Sequence, residues 1–107
     1  MLIIQKGANF EHEHQFTNER TGAVANILGY STNSFILRDR IGGTLIATGT
    51  ATISDGANGI CLVTLTIAQT SAMTAEQKGV CSIEVGDGVD FRHTYEDTFY
   101  VRPETAT

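Results

Sequence analysis

Gly79-Val-Cys-Ser-Ile-Glu-Val-Gly-Asp-Gly88 decides the fold class. Cys81, Ile83 and Val85 alternate with Ser82 and Glu84, the two-residue period of a half-buried β-strand. Gly86-Asp87-Gly88 follows as a tight turn. The same grammar repeats on either side. Upstream, Ile60 to Thr66 alternates with Cys61, Val63 and Leu65 inward. Downstream, Val89 to Tyr95 and Thr98 to Val101 read as a last strand with a bulge at Glu96-Asp97, ended by Pro103.

Working outward, Asn9 to Thr17 places Phe10, His12, His14 and Phe16 on one face and Asn9, Glu11, Glu13 and Gln15 on the other. Ser31 to Asp39 turns Phe35 and Leu37 one way and Ile36 the other. Gly42-Gly43 reads as a two-residue hairpin turn leading into Leu45 to Ile53. Asp55 to Gly59 reads as a loop. Thr66-Ile67-Ala68-Gln69 has the form of a capping box, which predicts one helical turn over residues 67–74 with Met73 plugging the core. Met1 to Lys6 reads either as an edge strand of its own sheet or as an arm that adds a strand to a neighbour. The expectation is one all-β domain over residues 1–107, an antiparallel, immunoglobulin-like two-sheet sandwich, with residues 104–107 as a flexible tail.

Composition narrows the function. The chain has 107 residues, 41% of them hydrophobic, and a formal charge of -5. Its seven Lys and Arg residues are scattered, whereas nucleic-acid proteins carry a basic stripe, so no nucleic acid is expected as a partner. The longest uncharged run, Gly56 to Ala75, is studded with Thr, Gln, Asn and Ser and does not read as a membrane span. Met1-Leu2-Ile3-Ile4 is too short for a signal-peptide core. These features read as a soluble protein folded in a cytosol. Cys61 and Cys81 are not a Cys-x-x-Cys pair and read as small buried apolar residues, with their bonding left open.

Candidate chemistry is sparse. Glu11-His12-Glu13-His14 is the one cluster of ligand types, but zinc takes three or four converging ligands. A third would have to come from His93 or a second copy, so His12 and His14 are weak candidates and no metal or other cofactor is expected. A Cys81–His93 dyad fails because Cys81 lies on the inward face, where a thiol is inert. No enzyme is expected.

One composite pattern exceeds a generic small β domain. It runs from Leu28-Gly29-Tyr30 to a strand ending at Arg38, then to Gly42-Gly43-Thr44-Leu45. It continues through Leu65-Thr66-Ile67-Ala68-Gln69-Thr70 and Cys81-Ser82-Ile83-Glu84-Val85, and closes with Val101-Arg102-Pro103-Glu104-Thr105. This order resembles small immunoglobulin-like β-sandwich modules of tailed bacteriophage particles, of the kind found at the N-terminus of upper baseplate proteins. The resemblance implies a non-enzymatic structural protein of the virion, assembled in the bacterial host cytoplasm. Its partners would be other virion proteins, with the chain present as a homo-oligomer or in several copies. A tail, baseplate or fibre-linking adaptor is preferred; a capsid decoration (cement) protein is the first alternative. The partner-binding candidates are Leu2, Ile3, Ile4, Tyr30, Tyr95 and Tyr100. A host-surface glycan-binding module, using Tyr30, Phe91, Tyr95 and Tyr100, is the alternative of a different class.

Overall fold

The computed structural model describes residues 1–18 and 20–103; the expected flexible tail at 104–107 lies outside them. In chain order the elements are β1 (Leu2–Gln5), β2 (Phe10–Gln15), β3 (Thr32–Arg38), β4 (Leu45–Asp55), a 3-10 turn (Gly56–Asn58), β5 (Ile60–Leu65), α1 (Ile67–Ser71), β6 (Lys78–Gly86) and β7 (Arg92–Arg102). The chain is all-β.

The strands form one seven-stranded sheet in the order β1-β7-β6-β3-β4-β5-β2. The sheet curls on itself at β4. The first half of that strand pairs with β3 (Phe35 opposite Gly49) and the second half with β5 (Thr50 opposite Thr64). The two arms of the sheet thus face each other, and Phe10 of β2 stacks on Phe35 of β3 across the interior at 6.1 Å. The expected pair of separate sheets is therefore one continuous, nearly barrel-shaped sheet. The pairing is antiparallel except for β1, which lies parallel to β7.

The core follows the alternation read from the sequence. Phe35 and Leu37, Cys61, Val63 and Leu65, Cys81, Ile83 and Val85, and Met73 are all buried in one cluster. Removing these side chains from water is the main favourable term in the fold. α1 begins with the expected capping box. The Gln69 N–H donates to Thr66 Oγ1 at 3.1 Å and the Thr66 N–H to Gln69 Oε1 at 3.0 Å. The helix is shorter than expected, with Ala72 as its C-cap.

Two expectations are corrected. β7 has no bulge: Glu96 and Asp97 pair in register with Ser82 and Cys81. The residues before Arg92 form the turn instead, where the Asp87 carboxylate accepts the N–H groups of Val89, Asp90 and Phe91. The β3–β4 connection is a longer loop over residues 39–44, closed by Asp39, whose Oδ1 accepts the Thr44 N–H at 2.8 Å. Only Gly42 of its glycine pair takes a positive φ, at 70°. The N-terminal segment takes one of its two expected forms, an edge strand of its own sheet. Leu2 and Ile4 are buried, and their strand is hydrogen-bonded into its own sheet beside Phe99 and Val101.

Candidate functional site

The two arms are joined by hydrogen bonds through β4, and among the described residues β2 at the far edge of one arm pairs with neither β1 nor β7 of the other. β1 covers just the last part of β7, from Phe99 to Arg102. Beyond it, the inward side chains of β7 and β2 face each other across a seam. The period-2 alternation puts His93, Tyr95 and Asp97 inward from β7, and His12 and His14 inward from β2.

These residues form a ladder of rings. Tyr30 stacks on His93 at 6.1 Å, His93 lies 6.0 Å from Phe16, and Phe16 meets His14 edge-on at 4.6 Å. His14 stacks on Tyr95 at 3.9 Å, and His12 lies 6.4 Å beyond His14. At the end of the ladder the Tyr95 hydroxyl donates to Asp97 Oδ2 at 2.9 Å, and the Met1 amino group sits 3.2 Å from the same oxygen. The Thr98 N–H donates to Asp97 Oδ1 at 2.8 Å.

Each group's acidity follows from these contacts. Burial, helped by His12, lowers His14, while Asp97 opposes the shift. The Tyr95 hydrogen bond, the Thr98 N–H and the amino group hold Asp97 below the usual carboxylate range, against partial desolvation. The same Asp97 contact raises Tyr95. Burial raises Cys61, and burial together with nearby Asp97 pushes Cys81 up to about 11. Both thiols are free, buried and protonated at neutral pH, which leaves them poor nucleophiles.

The structure brings together five residues singled out in the sequence, Tyr30, Tyr95, His12, His14 and His93, and adds Phe16 and Asp97. It separates the others. Leu2 and Ile4 belong to the core. Ile3 and Tyr100 are opposite each other on the outer face of the sheet. The rings named for glycan binding therefore form no common platform, since Tyr95 is stacked on His14 while Phe91 projects from a loop. Among the described residues, no three His, Cys, Asp or Glu side chains converge as a metal-binding group.

Alternation alone did not reveal where large apolar side chains are left in solvent. Val89 is 85% exposed and Phe91 65% exposed in the β6–β7 turn, with Leu28 69% exposed before β3. Ile41, 77% exposed, borders a depression of about 530 Å³ on the outer face, with Ile36, Arg38 and Val80 in its lining. Among the described residues no helix is long and apolar enough to cross a membrane. No protein-family model matches the chain, and no curated protein matches it.

Proposed function

We propose that the chain is a non-enzymatic structural component of a phage virion. In this reading it is an immunoglobulin-like sandwich module that docks on other virion proteins as a tail, baseplate or fibre-linking adaptor. The strand order carries the proposal. β2-β5-β4 runs in the order B-E-D and β7-β6-β3 in the order G-F-C of an immunoglobulin domain, with β1 beside the last strand. The segments behind the phage-module resemblance lie at the boundaries of strands. Gly29-Tyr30 leads into β3, the capped helical turn links β5 to β6, and Pro103 follows β7.

The surface supports a docking role. Exposed Leu28, Ile41, Val89 and Phe91 are unused by the core, and large apolar side chains left in solvent suit contact with another protein. Many copies in one particle multiply weak contacts of this kind.

The test is mass spectrometry of gradient-purified particles, followed by a density map. The expected result is the chain in a fixed ratio to the tail or baseplate proteins and a matching module at that position. Particles lacking the chain, while the infected cell contains it, would overturn the proposal.

A further inference from the structure

We infer that the free edge of β7 is a self-complementary docking strand for a second copy of this chain. β6 pairs with β7 along Arg92 to Tyr100, whereas β1 begins only opposite Phe99 on the other side. Among the described residues no strand pairs with the segment from Arg92 to Glu96 on that second side.

The direction of the backbone groups is set by neighbouring bonds. The Val101 N–H donates to Gln77 O on the β6 side, and Arg102 O accepts from Lys6 N–H on the β1 side. Successive residues of a strand point to opposite sides, so Arg92, Thr94 and Glu96 present their N–H and C=O groups to the open edge.

The segment reads Arg92-His93-Thr94-Tyr95-Glu96. Turned antiparallel against a second copy about Thr94, it places Arg92 opposite Glu96, His93 opposite Tyr95 and Thr94 opposite Thr94. Arg92, Thr94 and Glu96 are then the hydrogen-bonded pairs, which matches the way their backbones point. Opposite charges and Thr–Thr pairs directly across strands are favourable. Arg92, Thr94 and Glu96 are all exposed on the outer face, free to meet their counterparts. Arg92 has its own-chain carboxylate, Glu84, at 3.7 Å, and Glu96 of the other copy completes its acidic surroundings.

The other long open edge has the opposite character. Pairing β2 with itself about His12 sets Glu11 against Glu13, and pairing it about Glu13 sets Glu13 against Glu13. Like charges across strands are a device that keeps edges apart. Self-association is therefore directed to β7. The two copies would join β7 to β7 into one wider sheet, related by a two-fold axis at Thr94.

The test is sedimentation velocity over a concentration series, with circular dichroism to verify that each variant folds. Wild type is expected to show a monomer–dimer equilibrium that weakens with added salt. Arg92→Glu and Glu96→Arg should each weaken it by about 10-fold or more, because each creates two repulsive pairs by symmetry. Mixing the two single variants restores both charge pairs, so the mixture should form a heterodimer that neither variant forms alone. A wild type that stays monomeric at every concentration, or a dimer indifferent to both substitutions, overturns the inference. The inference does not rest on the virion reading: a monomeric result leaves the particle assay unaffected, and absence from particles leaves the dimer assay unaffected.

Discussion

His14 is held between groups that want it neutral and one that wants it charged. Burial and His12 lower its pKa below the ordinary 6.5, and Asp97 only partly offsets them. The unfolded chain therefore binds the proton more readily than the folded chain. The contribution of His14 is fully present above its unfolded pKa and is lost as pH falls from there through the lower native value. Urea midpoints measured from roughly pH 8 to pH 5 should decline on the acid side in wild type and decline less in His14→Phe. Equal slopes in the two proteins would remove His14 as the source. Asp97 acts in the same direction over a lower window. Its native pKa lies below the ordinary 3.8, so its contribution is lost as pH falls through that native value. Tyr95→Phe deletes the hydroxyl that is the largest single cause of this shift. The Asp97 carboxyl resonance should then titrate at higher pH, and an unchanged titration would show that the Thr98 N–H and the amino group suffice.

Elements differ in how far they can be recognised from neighbouring residues. The α1 cap was legible because Thr66 and Gln69 lie within one turn of each other and need nothing from the rest of the chain. Thr66→Ala should cost about 1 kcal/mol, the usual value for a lost N-cap, read as a lower urea midpoint with an unchanged slope. The turn is further tied to the sheet where Gln69 Nε2 donates to Thr48 O at 2.6 Å, so Gln69→Ala should also destabilise. The bend of β4 was not legible, because its cause lies in two other strands. Gly49 sits where β4 changes partners, and a Cβ there would come within 2.5 Å of Phe35 Cδ2 and 2.6 Å of Thr64 O. Gly49→Ala should cost roughly 1–3 kcal/mol by overpacking, measurable as a thermal shift. The continuity of β7 was hidden for a related reason. Glu96-Asp97 reads as a break from its charges alone, yet Asp97 finds Tyr95, Thr98 and the Met1 amino group on the inner side.

For the whole molecule, period-2 alternation disclosed which residues are inside but not which strands are neighbours. Phe35, Val63, Ile83 and Phe99 are buried as their spacing requires, yet nothing local indicates that Leu2 will lie beside Phe99. The seam was half legible in the same way. The His12 and His14 pattern put two imidazoles on one face, but the facing Tyr95 and Asp97 come from the other end of the chain. β1 is the element on which this difference can be tested. Leu2 and Ile4 close the core over Phe99 and Val101, and burying an aliphatic side chain is worth about 1.5–3 kcal/mol. Together they represent a large share of the roughly 5–15 kcal/mol that holds a domain folded. Leu2→Ala/Ile4→Ala should therefore lower the guanidinium midpoint sharply. Ile3→Ala should change it little, because Ile3 lies on the outer face and is 44% exposed. A segment serving only as an arm for a neighbour would give another pattern: isolated monomer equally stable in all three proteins, with loss confined to assembly. The ranking of these midpoints in dilute monomer thus decides between an integral strand and an arm.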